Sequence, residues 1–391
     1  MSFPRQTGTY HHENFTTEAE TTFDIDLYYV TLGTLNESKS NAIWVLHALT
    51  GNADVLSWCA LFRTPLSHTL FHAHSHTRSQ RWRDLFADPK AAEQVFDPKK
   101  YFIVCANCLG GCYGSTGPLS IDPLTRKPYY HSFPLLTTRD CARAFDLLRI
   151  HLGLASVHIL LAPSMGAQQG LEWACLQPAV FKNLILITGN AKNSPWAIAF
   201  NETQRMAIEA DSTWRSESVD AGKEGLKAAR AMAILSYRCY EGYHRAQPES
   251  DDGKREGFKA ASYQRYQGEK LTRRFNAYTY VGFSRMMDSH NIARGRNVSA
   301  EEVLKTIQAN TCIISVDTDI LFPPQVSSLL LLLLLLLHSS LDTWLAAHAG
   351  AKIHGDAHPK LEDVQHLLPL RARRVPGRVR PAQALLPAVS Q

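Results

Sequence analysis

The feature that most constrains this chain is the pentapeptide Ala162-Pro163-Ser164-Met165-Gly166. An apolar run, VHILLAP at 157–163, stops there, and a helical pattern, MGAQQGLEWACLQ at 165–177, starts from it. A strand that turns this sharply into a helix lifts the serine hydroxyl above the edge of a sheet. It also puts the Met165 amide at a helix N-terminus, where it can donate to a developing oxyanion. The flanking sequence repeats the strand-then-helix rhythm. NAIWVLHAL (41–49) is a short apolar run ending at Thr50-Gly51-Asn52, and residues 101–106 form another. Residues 139–151 have helical periodicity, and NLILITGN (183–190) is again strand-like. Alternation around DIDLYYVTLGTLN reads as strands with a turn within residues 1–40. The expected class is α/β, a mostly parallel central sheet with helices on both faces.

The rhythm breaks after residue 194. Residues 195–300 are polar, aromatic and largely helical, as in AFNETQRMAIEA and GLKAARAMAILSY, and predict an inserted helical cap. TCIISVDTDI (311–320) resumes the sheet pattern. The expected organisation is a core formed by 1–194 and 301–325, a cap over 195–300, and an atypical tail over 326–391. The tail opens near a run of nine leucines, Leu329 to Leu337, and closes in RARRVPGRVRPAQALLPAVSQ. An α/β domain still needs a last strand here, and none is visible. The leucine run is too short for a membrane span and follows Pro323 and Pro324.

Composition narrows the function classes. The 391 residues are 45% apolar and 20% charged, which excludes a disordered or collagen-like chain. The net charge of +5 is too small an excess to imply nucleic acid, though it suits an anionic substrate. The first twenty residues carry no apolar run, so no signal peptide is expected. Eight cysteines fit a reducing, cytoplasmic setting. Cys105, Cys108 and Cys112 lie close together, but without a fourth ligand at convincing spacing they read as small buried thiols rather than a metal site.

A serine nucleophile needs a base, an orienting carboxylate and a second oxyanion donor. His47-Ala48-Leu49-Thr50-Gly51 is placed for the donor, with the Leu49 amide the best candidate beside that of Met165. The carboxylate should follow a later strand. Asp319 and Asp317 both qualify, since period 2 would put them on one face of the 311–320 strand.

At this point the segments identify a resemblance. HALTGNAD (47–54), ANCLGGCYGSTGPLSIDP (106–123), SMGAQQGLEWA (164–174), SPWAIAFNETQRMAIEAD (194–211), KAARAMAILSYR (227–238), FNAYTYVGFSRMMDSHN (275–291) and DTDILFPP (317–324) are collinear. Together they resemble the homoserine O-acetyltransferases, enzymes of the α/β-hydrolase fold. The resemblance implies Ser164 as nucleophile, Asp319 rather than Asp317 as triad carboxylate, and Arg230 and Tyr237 as substrate-pocket residues. It implies L-homoserine and acetyl-CoA as substrates, acetyl-CoA being a co-substrate with no resident cofactor or metal. It also implies a step of methionine synthesis and a homodimer, with neither nucleic acid nor membrane as partner.

The chain departs from that family in two places. Ala162 and Pro163 stand where the family has glycines. The family's terminal Gly-His-Asp-Gly-Phe segment, which carries the base, is absent. His354, 35 residues after Asp319, is the expected base, with His348 and His358 as rivals. A shifted reading frame after Pro324 would explain both the leucines and the Arg-Pro-rich tail. A serine hydrolase of the same fold and an impaired remnant without a base are the competing readings.

Overall fold

The structure is a computed structural model that describes residues 3–58, 84–87, 95–325 and 343–347. Its frame is one eight-stranded sheet. In chain order the first strands are β1 (Arg5–Thr16), β2 (Thr22–Leu32) and β3 (Ala42–Val45). Then come α1 (Asp84–Ala87), β4 (Phe102–Ala106), α2 (Thr138–His151), β5 (Val157–Pro163), α3 (Met165–Leu176) and β6 (Phe181–Ile187). The helices α4 (Pro195–Glu209), α5 (Lys223–Ser236), α6 (Tyr240–Ala246), α7 (Lys259–Thr272), α8 (Ala277–Asp288) and α9 (Ala300–Leu304) precede β7 (Asn310–Ser315) and β8 (Thr343–Ala347). The strand order is β1-β2-β4-β3-β5-β6-β7-β8. β2 pairs antiparallel with both β1 and β4, and every later pairing is parallel.

The apolar runs are continuous because the central strands are covered on both faces. Alternate residues of one strand go to opposite cores. Trp44, Val104, Leu160 and Leu184 pack with Phe145 of α2 and Trp173 of α3. Ile43, Val45, Ile159, Leu161 and Ile185 pack on the other side with Leu85, Phe86 and Phe96. Trp44 and Trp173 meet edge to face at 5.0 Å. α2 starts cleanly because Thr137 and Asp140 cap it reciprocally.

Between β6 and β7 the described regular elements are all helices. α5 packs between α4 and α7, and α8 returns against α4. Buried polar pairs hold that return: Asp288 of α8 accepts from Asn201 of α4 at 2.7 Å and pairs with Arg205 at 2.6 Å.

Two sequence expectations need correction. β7 stops at Ser315, so Asp317 and Asp319 lie in the turn after the strand and share no strand face. The last strand does exist: β8 pairs with β7 from Thr343↔Thr311 to Ala347↔Ser315. TWLAA is only five residues long and sits in a biased tail, so it carries little strand signal of its own. The leucine run, His348, His354 and His358 lie outside the described residues. No helix among the described residues is long and apolar enough to cross a membrane.

Candidate active site

The site is built at the C-terminal ends of the parallel strands. Ser164 sits between β5 and α3 with φ 54° and ψ −122°, a backbone conformation that costs a side-chain-bearing residue energy. Its neighbours hold it there. Its N–H donates to Ile187 O of β6 at 2.8 Å, and its carbonyl accepts from Ala167 N at 2.8 Å. α3 then packs against β3 so closely that a Cβ at Gly166 would lie 3.0 Å from Leu46 Cβ and 3.1 Å from Leu46 O.

The two unusual residues before the serine have local explanations. A Cβ at Gly170 would come within 3.0 Å of the Ala162 Cβ, so the glycine on the helix makes room for the alanine on the strand. The Ser164 N–H faces β6, so the alternate position 163 faces β3, where pairing with β5 ends at Leu46. The donor that proline lacks is not needed there.

Met165 opens α3, where the first amides have no intrahelical acceptor. Neither its N–H nor that of Leu49 is hydrogen-bonded among the described residues. The Leu49 loop is held from three sides. His47 bonds Ala48 O and the Cys108 amide, each at 2.9 Å. Asn107 Oδ1 accepts from Ala53 N at 2.6 Å. Arg274, between α7 and α8, donates to Thr50 O at 2.7 Å and to the Tyr113 hydroxyl at 2.6 Å.

Asp319 follows β7. One carboxylate oxygen, Oδ1, accepts from the amides of Leu321 and Phe322, each at 2.8 Å. Oδ2 accepts nothing among the described residues. Burial pushes the carboxyl up to about 6, against the pull of those two amides. One fixed and one open oxygen is the arrangement an orienting carboxylate needs beside an imidazole N–H. Asp317 is exposed.

Arg230 of α5 is 3% exposed, and its guanidinium lies 5.7 Å from the Tyr237 ring centroid. Among the described residues no carboxylate or carbonyl pairs with it. Burial lowers its affinity for a proton; the Tyr237 and Tyr280 phenols oppose this, and Arg274 and Arg238 add to it. Burial raises the Tyr237 phenol, Arg230 pulls it back and the Asp319 charge raises it further. Tyr237 therefore feels the charges of both Arg230 and Asp319. A buried cation without an acceptor is expensive, and an incoming anion would relieve it.

Comparisons with known proteins give the family and the fold. A family model described as alpha/beta hydrolase fold matches residues 41–331. A homoserine O-acetyltransferase of Cyclobacterium marinum is 48% identical over 304 residues, 78% of each chain. One of Chlorobaculum parvum is 40% identical over 77% of this chain and 78% of its own. The chain belongs to the homoserine O-acetyltransferase family. It is an enzyme of that type on an α/β-hydrolase fold. The crystal structure of a homoserine O-acetyltransferase from Bacillus anthracis has the same fold, with a TM-score of 0.74 at 22% identity, over 88% of this chain and 90% of that one.

The residues 41–331 that match the alpha/beta hydrolase fold model contain Leu49, Ser164, Met165, Arg230, Tyr237 and Asp319. They end before His354. Sequence reasoning missed His47, Asn107 and Arg274, which hold the Leu49 loop. His47 was in view inside HALTG, but one of its two bonds runs to a loop some sixty residues on, at Cys108. Arg274 directly precedes the FNAYTYVGF segment and has no motif of its own.

Proposed function

We propose that this enzyme moves an acetyl group from acetyl-CoA to the hydroxyl of L-homoserine through an acetyl-Ser164 intermediate, as a step of methionine synthesis. The observation that carries this reading is Arg230, a buried guanidinium beside Tyr237 that has no acceptor among the described residues. A simple ester hydrolase has no use for such a group. A transferase whose acceptor bears a carboxylate does, and the planar fork matches a carboxylate with two parallel bonds.

In this reading the thioester lies over Ser164. A histidine takes the serine proton as the hydroxyl attacks the carbonyl carbon. The Leu49 and Met165 amides stabilise the oxyanion. The tetrahedral intermediate collapses, the C–S bond breaks and CoA leaves with the proton. Homoserine then enters with its carboxylate on Arg230. The same histidine deprotonates its hydroxyl, which attacks the acetyl-serine; the acyl–Oγ bond breaks and the histidine returns the proton to Ser164 Oγ. Asp319, through Oδ2, orients the histidine, and His354 is the proposed base. The helices of residues 195–300 act as a cap that keeps water from the acyl-serine. The protein works as a cytoplasmic homodimer with no resident cofactor.

The test is an assay with acetyl-CoA, with and without homoserine, that follows free thiol and O-acetylhomoserine. Transfer in the wild type supports the reading. Thiol release independent of homoserine would replace it with a hydrolase, and no release at all would mark a chain without a working base. Arg230→Met should raise the KM for homoserine at least about tenfold, as loss of a charge-assisted bidentate pair does. Its thiol release without homoserine should stay at the wild-type rate. His348→Ala, His354→Ala and His358→Ala, measured in parallel, identify the base.

A further inference from the structure

His47 is buried just beyond β3, and both of its ring nitrogens are engaged. The Cys108 backbone amide can only donate, so Nε2, 2.9 Å away, carries the lone pair. Burial keeps the ring neutral, with its pKa lowered to about 4. The single ring proton is therefore on Nδ1 and is donated to Ala48 O at 2.9 Å. The Gly51 amide donates to the same carbonyl at 2.8 Å.

The Ala48 carbonyl and the Leu49 N–H belong to one planar trans peptide and point in opposite directions. Two donors on the carbonyl fix the amide on the other side. They also polarise the peptide and strengthen its N–H as a donor. The Leu49 N–H is left without an acceptor among the described residues. The start of α3 abuts the same backbone, since a Cβ at Gly166 would lie 3.2 Å from His47 O.

We propose that His47 is a positioning residue for acyl transfer: as a hydrogen-bond relay from the Cys108 amide to the Ala48 carbonyl, it locks the Ala48–Leu49 peptide with its N–H presented to the oxyanion. With both nitrogens occupied, His47 is not the base. The proposal rests on the reading of Leu49 as an oxyanion donor. It is independent of the identity of the acceptor.

Two variants separate the relay from simple space filling. Asparagine places an N–H near the position of Nδ1 and keeps the bond to Ala48. Glutamine places an acceptor near the position of Nε2 and keeps only the bond to Cys108. With p-nitrophenyl acetate, His47→Gln should lose about 10²-fold in kcat, as loss of an oxyanion donor does, with KM within about twofold. His47→Asn should stay within about tenfold of wild type. A crystal structure of His47→Gln should show the Ala48–Leu49 peptide rotated, with the Leu49 N–H turned away. Equal kcat in the two variants, or an unrotated peptide in His47→Gln, overturns the proposal. Should the wild type cleave p-nitrophenyl acetate but acetylate no homoserine, the acceptor assignment falls while the ranking of the variants still decides His47. Should it turn over neither, the peptide orientation decides.

Discussion

Asp319 is held by one oxygen and left open at the other, in a setting that resists its charge. Raising its pKa from 3.8 to about 6 means that folding favours the protonated form. Between those values the native state holds a proton that the unfolded chain has lost. The contribution of this residue to stability is therefore greatest below pH 4 and declines as the pH rises through 6. Asp319→Asn removes the charge, and its amide oxygen can still accept from Leu321 and Phe322. Asp319→Asn should be more stable than wild type at pH 7 by up to about 3 kcal/mol. Between pH 4 and 6 its unfolding free energy should rise with pH more steeply, by about 1.4 kcal/mol per unit. Denaturant titrations across that range check both. In the proposed mechanism the same change lowers kcat by about 10⁴-fold, because the imidazole loses its orienting charge. Stability gained and activity lost together would mark a carboxylate kept for chemistry.

At the level of elements, the seam between α3 and its sheet is set by glycines. Gly170→Ala would bring two methyl groups to 3.0 Å, with Leu160 Cδ2 at 3.3 Å also in the way. Overpacking of this kind costs about 1–3 kcal/mol. Ala162→Gly should be mild alone and should recover much of that loss in the double variant, as contacting residues do. Urea unfolding of the four proteins closes the cycle, and strict additivity would refute the contact.

The same scale explains what could be read in advance. β3, β4, β5 and β6 are apolar on both faces, so their runs stand out, and the β5–α3 turn is defined by its neighbours in sequence. β8 was hidden because five ordinary residues become a strand only through their pairing with β7. Asp317 and Asp319 were separable only by the family resemblance, since alternation continues in letters beyond the point where pairing stops. The hold on the Leu49 loop was illegible because each bond, from Cys108, Ala53 or Arg274, joins segments distant in sequence.

Across the whole molecule, one part-buried ionic cluster joins segments distant in the sequence. Glu18, in the turn between β1 and β2, pairs with Arg139 of α2 and with Arg294 beyond α8, each at 2.6 Å. Glu172 of α3 pairs with Arg139 and with Arg296, again each at 2.6 Å. Glu172 is buried, and removing its charge leaves the half-buried Arg139 and Arg296 under-compensated, which costs about 1–3 kcal/mol. Glu172→Gln should lower the unfolding free energy by about that much, with a matching fall in Tm. The surface ion pair Lys305–Glu301 is exposed on both sides, and Glu301→Gln should change stability by less than about 1 kcal/mol.

The insertion between β6 and β7 also sets an order of events in time. The ribosome releases the nucleophile strand, its helix and β6 before any of α4 to α9, and β7 only after all of them. An unfinished chain can complete the serine turn, whose bonds run to β6, while the carboxylate is still unmade. The reactive half of the machine thus exists for the whole synthesis of the helical layer in an unarmed form. Stalled chains ending before Asn310 should accordingly leave Ser164 unlabelled by a fluorophosphonate that marks the finished enzyme.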